Sequence, residues 1–93
     1  MGERVELHNS VEVASPVFLG EGAVVRSRAV IGGRTVIGAN TLVDEGARIS
    51  RSVIGGGSLI GRGASVTDCI IGGGFCLTNG EVISDRMLVD TAN

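Results

Sequence analysis

Large aliphatic residues recur along this chain with a step of six residues. The step shortens to five residues only from Ile49 to Ile54 and from Val66 to Ile71. From Ala23 to Cys69, the residue two places before each aliphatic residue is small. Because residues two apart in an extended segment point to the same side, each unit sends one small and one large side chain inward. The aliphatic positions are Leu7, Val13, Leu19, Val25, Ile31, Ile37, Val43, Ile49, Ile54, Ile60, Val66, Ile71, Leu77 and Ile83.

Turn residues follow most of these aliphatic residues at a nearly constant spacing. Gly often comes directly after, as at Gly38 and Gly55, and Gly or Asn stands two places further on, as at Asn40 and Gly57. Gly and Asn tolerate positive φ, so each unit ends in a tight corner. Three short strands and three corners close a triangular coil, and successive coils stack about 4.8 Å apart. The pattern predicts an all-β solenoid of about four to five triangular coils.

The repeat weakens near the C-terminus. Phe75 and Glu81 stand where a small residue belongs, and an inward Glu81 would be a buried charge, which is unfavourable. We therefore expect the β-solenoid, or β-helix, to end near Gly80 and the residues after it to form a capping or swapped strand. The predicted units are a loose N-terminus (1–4), the β-helix (5–83) and a C-terminal cap or tail (84–93).

The residue just before each inward aliphatic residue points outward, and these residues form one ladder on each face. Two of the three ladders are apolar. An apolar ladder several coils tall is a large patch to leave in water, so we expect a homo-oligomer, either a trimer or a dimer. The expected interface residues are Phe18, Val36, Val53 and Ile70 on one face and Val24, Leu42 and Leu59 on the other.

Composition agrees with a narrow solenoid core. The chain has 93 residues, enough for one domain, and only 2% of them are aromatic. The net charge of −2 gives no reason to expect nucleic acid or membrane as a partner. No signal peptide or bilayer-length apolar stretch is present, which predicts a cytoplasmic protein. The two cysteines set no disulfide framework, since Cys69 falls in an inward slot and Cys76 in an outward one.

Candidate catalytic chemistry is sparse. The single histidine, His8, is the candidate for a catalytic general base, and one histidine cannot supply the three that a histidine zinc site needs. No phosphate-binding loop or dinucleotide fingerprint appears, so we expect no cofactor and no metal. Arg34 and Arg51 should stack at one corner with Arg48 nearby, where they could hold a phosphate. The alternative is a solvated corner partly neutralised by Asp68.

The amino-acid sequence of the repeats resembles that of a known family. Ser52-Val53-Ile54-Gly55, Asp68-Cys69-Ile70-Ile71-Gly72 and the alternation of five- and six-residue steps are similar to the C-terminal domain of sugar-1-phosphate nucleotidylyltransferases of the mannose-1-phosphate guanylyltransferase type. That domain is a hexapeptide-repeat, left-handed parallel β-helix, and the resemblance supplies the handedness. In the family a separate N-terminal Rossmann-like domain carries the nucleotidyl transfer, and the β-helix mediates assembly.

Three functions remain open on this basis. The first is a non-catalytic oligomerisation module, not an enzyme on its own, whose missing partner is a nucleotidylyltransferase domain. The second is a minimal acyltransferase that uses acetyl-CoA at a trimer interface, since hexapeptide acyltransferases employ a histidine near the subunit boundary. Most of those enzymes also carry a loop that leaves a coil, and no loop interrupts the hexads here. The third is a purely structural or designed solenoid.

Overall fold

The computed structural model describes residues 5–8, 10–14 and 16–88. These residues form 15 β-strands of two or three residues each, and they include no helix long and apolar enough to cross a membrane. The strands are β1 (Glu6–Leu7), β2 (Glu12–Val13), β3 (Val17–Leu19), β4 (Val24–Val25), β5 (Val30–Ile31), β6 (Thr35–Ile37), β7 (Leu42–Val43), β8 (Arg48–Ser50), β9 (Val53–Ile54), β10 (Leu59–Ile60), β11 (Ser65–Thr67), β12 (Ile70–Ile71), β13 (Cys76–Leu77), β14 (Val82–Ser84) and β15 (Met87–Leu88).

Each strand from β1 to β12 pairs in parallel with the strand three places further along the chain. This produces three sheets of five strands: sheet A (β1, β4, β7, β10, β13), sheet B (β2, β5, β8, β11, β14) and sheet C (β3, β6, β9, β12, β15). Since consecutive strands belong to different sheets, the chain winds around a single axis and adds one strand to each sheet per turn. The predicted all-β solenoid is confirmed as a parallel β-helix of about five turns.

The register places equivalent repeat positions directly above one another, as in the column Ile37, Ile54 and Ile71 of sheet C. Every predicted inward aliphatic residue from Leu19 to Ile83 is buried. Leu7 and Val13 are 41% and 43% exposed, because no described coil lies beyond them at this end. The core is therefore a stack of aliphatic ladders, and the hexad phase predicted their members.

Small residues fill the remaining inward slots, and their polar members are all satisfied. The hydroxyl of Ser52 donates to the carbonyl of Ser50 at 2.7 Å and accepts the Cys69 amide at 3.1 Å. Ser58 donates to the Gly55 carbonyl at 2.8 Å. Within the described residues no buried side-chain nitrogen or oxygen lacks a partner, so Ser and Thr replace Ala here without leaving an unpaired group.

Glycine is required where one coil passes directly over the next. A Cβ added at Gly38 would lie 2.4 Å from the backbone nitrogen of Gly56, and one at Gly55 would lie 2.4 Å from that of Gly73. No side chain can occupy such a site unless the coils separate. This explains why the corner between sheets C and A is so rich in glycine.

The corner between sheets B and C shortens toward the C-terminus, as the two five-residue steps predicted. It contains a third such step, from Ile83 to Leu88, which the sequence analysis missed. Four corner residues adopt positive φ, between 48° and 61°, and they lie one per coil: Arg34, Arg51, Asp68 and Asp85.

The helix does not end near Gly80, and that prediction is wrong. β14 pairs in parallel with β11, and β15 pairs with β12, both in the register of the earlier coils. Residues 84–88 therefore continue the stacked sheets. The predicted loose N-terminus (1–4) and the rest of the predicted cap (89–93) lie outside the described residues.

Glu81 and Phe75, the two residues in slots where a small residue belongs, do not end the β-helix. The carboxylate of Glu81 accepts the Thr78 amide at 3.0 Å and the Thr78 hydroxyl at 3.1 Å, so it closes the turn and does not enter the core. Phe75 is half-buried and packs against the core cluster. Neither residue interrupts the parallel pairing.

Candidate interaction surfaces and polar clusters

The outer face of sheet C carries an uninterrupted apolar ladder, which we call the C ladder. Its exposed fractions range from 36% at Val36 to 67% at Met87. All neighbouring members pair in register along the sheet. Five strands stacked about 4.8 Å apart make a column about 19 Å tall. The members are Phe18, Val36, Val53, Ile70 and Met87.

The sequence pattern predicts the first four members of the C ladder but not Met87. Met87 precedes Leu88 by one residue, which is the outward position of the hexad. The predicted cap included Met87 because the repeat reaches it only through the third five-residue step. Aligned apolar side chains of this kind typically mark a contact surface.

The other two outer faces are less apolar or less exposed. On sheet A the predicted interface residues Val24, Leu42 and Leu59 are half-buried, and the ladder begins with the charged Glu6. Sheet B carries both polar and apolar groups on its outer side. Its outward members are Glu12, Val30, Arg48, Ser65 and Val82.

The corner between sheets B and C holds the predicted arginine cluster. The Arg51 amide donates to the Gly33 carbonyl at 3.1 Å, which places Arg51 one coil above Arg34. Arg48 does not lie at this corner, because it points outward from the neighbouring sheet B. The structure therefore brings two of the three candidate arginines together.

Arg51 is already paired within the chain. Its Nε donates to Asp68 Oδ1 at 2.7 Å and its Nη2 donates to Asp68 Oδ2 at 3.0 Å. This two-pronged hydrogen bond holds the pKa of Asp68 below its ordinary value and raises the pKa of Arg51. A phosphate at this corner would have to compete with Asp68 for the Arg51 guanidinium.

The same corner continues with two acidic residues, of which the sequence pattern predicted Asp68 but not Asp85. The Asp68 amide donates to the Ser50 carbonyl at 3.2 Å, and the Asp85 amide donates to the Thr67 carbonyl at 3.0 Å. The corner thus carries one column of charges, Arg34, Arg51, Asp68 and Asp85, in which two cations are followed by two anions. We call it the corner column.

The single histidine lies at a different corner, between sheets A and B. His8 lines a shallow cleft of about 180 Å³ with Arg26, Ser27, Asp44, Glu45 and Arg62. Glu45 accepts the Ser27 hydroxyl at 2.9 Å and lies 3.5 Å from the Arg28 guanidinium. The hydrogen bond from Ser27, followed by the charge of Arg28, lowers the pKa of Glu45.

This cleft collects residues from four successive coils, about 18 residues apart along the chain, so no local motif indicated it. It forms because equivalent corner positions of successive coils stack. Across the described ranges, no three His, Cys, Asp or Glu side chains converge as a metal site would require.

Comparison with known proteins identifies the domain. The family model of the GMPPB C-terminal domain matches residues 13–89. A search of curated protein sequences gives no significant match.

Two solved structures share the fold at low sequence identity. The acetyltransferase domain of PglB from Neisseria gonorrhoeae in complex with acetyl coenzyme A is 20% identical, with a TM-score of 0.57 over 92% of this chain and 51% of that one. A second structure of the PglB acetyltransferase domain from Neisseria gonorrhoeae is 22% identical, with a TM-score of 0.53 over 85% of this chain and 48% of that one. The chain therefore spans about half the length of these solved domains. On the strength of the family match, the chain belongs to the GMPPB C-terminal domain family, hexapeptide-repeat β-helix domains of sugar nucleotidylyltransferases.

Proposed function

We propose that this domain is a non-catalytic homo-oligomerisation module and that nucleotidyl transfer in the whole enzyme belongs to a separate nucleotidylyltransferase domain. The observation that carries the proposal is the C ladder. Five apolar side chains, each at least 36% exposed, stand in one column with no charge among them. Burying such a column against a second copy removes apolar area from water, which favours association.

The uneven exposure of the three faces supports this assignment. The outward valines and leucines of sheet A are half-buried within the chain, and sheet B carries Glu12 and Arg48 on its outer side. Only sheet C combines exposure with an apolar column. A contact between two sheet C faces would use the same surface in both copies, as a two-fold symmetric dimer does.

The test introduces charge into the C ladder and leaves the core alone. Val36→Glu with Val53→Glu should convert the oligomer to a monomer, because two carboxylates cannot be buried unpaired in an apolar contact. Both side chains already face water in the isolated chain, so the thermal unfolding transition of the monomer should remain cooperative. Mass is read by light scattering and folding by circular dichroism.

The matched control places the same two substitutions on sheet B. Val30→Glu with Val82→Glu changes the net charge equally, and Val82 is 72% exposed. This variant should keep the wild-type mass. The proposal would be overturned by a C-ladder variant that keeps its mass, or by an equal loss of mass in both variants.

A second candidate function, a minimal acyltransferase, is favoured by one observation. The only histidine lies in a cleft with Arg26 and Arg62, which could pair with phosphates of coenzyme A. Acetyl-CoA should then raise the melting temperature of the wild type and not that of an Arg26→Ala, Arg62→Ala variant. The absence of any shift at millimolar acetyl-CoA would remove this candidate.

A further inference from the structure

The corner column borders the C ladder, and its charges are ordered. Arg34 and Arg51 occupy the second and third coils of sheet C, and Asp68 and Asp85 follow at the fourth and fifth. Arg86, although next to Asp85 in sequence, holds the slot of the small inward residues and is not part of the column. When the columns of two copies lie side by side in opposite directions, each arginine of one copy faces an aspartate of the other.

Two-fold symmetry allows two face-to-face arrangements of sheet C. If the two solenoids run parallel, the corner column of one copy meets the opposite border of the partner's sheet. That border is formed by Glu21 in the first coil and by Ala39, Gly56 and Gly73 in the second to fourth coils. The border therefore offers no charge opposite Arg34, Arg51 or Asp68. If the solenoids run antiparallel, the corner column meets the partner's corner column in reverse order.

The charges also select the register of the antiparallel arrangement. With the two-fold axis midway between Val53 and Ile70, Arg34 faces Asp85 of the partner subunit and Arg51 faces Asp68 of the partner subunit. A shift of the axis onto Val53 would instead place two Arg51 side chains opposite each other. Sheets in face-to-face contact lie about 10 Å apart, a gap that arginine side chains can cross at the border.

From this complementarity we propose that the C ladder and corner column together form an antiparallel two-fold dimer interface between two copies of this chain, with its axis between Val53 and Ile70. The inference rests on the proposed function and specifies its geometry. The Arg51–Asp68 pair leaves carboxylate lone pairs free, so the two pairs can join across the axis in a four-membered network. At the ends, Met87 of each copy lies opposite the other copy's Val36, beside the groove lined by Phe18 and Arg34.

The contact is small, which determines how it should be measured. Sheet C consists of strands of two or three residues, at most about 10 Å long, in a column about 19 Å tall. A face of roughly 200 Å² is well below the roughly 800 Å² per partner of a standard interface. We therefore expect a dimer whose population depends on concentration. Each comparison below uses a dilution series of the same chain.

Crosslinking with a short bifunctional thiol reagent distinguishes this geometry from any parallel assembly. Val36→Cys with Met87→Cys, in a Cys76→Ser background, should be trapped by the reagent as a covalent dimer, because the two new cysteines of different copies face each other across the gap of about 10 Å between sheets. That gap exceeds the Cα separation of about 7 Å that a direct disulfide allows, so the reagent is needed. Within one chain the two cysteines point the same way from one sheet and are three strand spacings apart, about 14 Å, so a reagent too short for that span links only different copies. The single variant Val36→Cys should remain uncrosslinked, because its copy in the partner is also about 14 Å away.

A charge exchange tests the ionic register independently. Arg34→Asp or Asp85→Arg alone should raise the dimer Kd about fivefold or more, since two symmetry-related pairs are lost and like charges face each other. The double variant should return the Kd to within about threefold of wild type. Both residue types already occupy positive-φ positions in this column, so the exchange suits the backbone. Arg48→Asp on sheet B is the matched control and should leave the Kd unchanged.

The outcomes separate this inference from the proposal beneath it. A wild type that is monomeric at every concentration would overturn both. An oligomer in which Val36→Cys alone is trapped, or in which the two charge variants add and do not compensate, would overturn the antiparallel register and leave the oligomerisation function standing.

Discussion

At the scale of single residues, the hexad phase determines which side chains are enclosed. Ile54 is 1% exposed and Val53, its neighbour, is 43% exposed. The sequence predicted both positions. Because successive side chains of a strand point to opposite faces, assigning Ile54 to the inside places Val53 on the outside. It also predicted the opposite environments of Cys69, which is buried, and Cys76, which is exposed.

Removing an enclosed ladder residue should therefore be costly. Ile54→Ala should lower the free energy of unfolding by about 2–5 kcal/mol, because it removes buried methyl groups and leaves a cavity between two neighbouring coils. Chemical denaturation monitored by circular dichroism measures the difference. Val53→Ala is the matched control and should cost less than about 1 kcal/mol in the monomer. Similar losses for both variants would contradict the inward register.

Acid should remove the stabilisation that the Arg51–Asp68 pair gives the corner column. Its folded pKa lies below the ordinary value of 3.8 because Arg51 hydrogen-bonds to the carboxylate. A carboxyl group with a lowered folded pKa stabilises the fold above its unfolded pKa, and this contribution is lost as the pH falls through the folded value.

Asp68→Asn makes this contribution measurable. The stability gap between wild type and variant should be constant from pH 7 down to about 5 and should close below about 3.8. Both partners are solvent-exposed, so the gap should be small and should shrink in high salt. Denaturation at several pH values tests it. A gap that widens on acidification would contradict the assigned pair.

At the scale of elements, strand phase could be predicted but the end of the repeat could not. The mistake began at Glu81, where an acidic residue in an inward slot indicated the end of the helix. The structure shows that its carboxylate binds the amide and hydroxyl of Thr78, a local contact that hydrophobic periodicity does not register. Once the coil continues, Leu88 and Met87 fall into their hexad positions one five-residue step after Ile83.

This contact should hold the turn before β14. Glu81→Ala should speed hydrogen exchange at the Thr78 amide, because the amide loses its acceptor at 3.0 Å. Glu81→Gln keeps a side-chain oxygen in place and should retain most of the protection. Exchange measured by NMR at Thr78 provides the comparison. Unchanged protection in Glu81→Ala would show that the turn does not depend on this side chain.

At the scale of the whole molecule, sequence predicted the solenoid and its apolar outer faces but not the order of charges along one corner. The C ladder follows from the position next to each inward residue. The corner column depends on Asp85, whose place is defined only by the unrecognised step from Ile83 to Leu88. Equally, the cleft around His8 arises from stacking of distant coils. Interactions between coils were therefore harder to predict than the coils themselves.

The most direct test of the whole account is the mass of the wild-type domain in solution, followed by light scattering over a concentration series. We predict a reversible shift toward twice the chain mass of 9.4 kDa as concentration rises. A limiting mass of three chains would retain assembly but contradict the two-fold geometry. A mass of one chain at every concentration would contradict the central claim that sheet C is an oligomer interface.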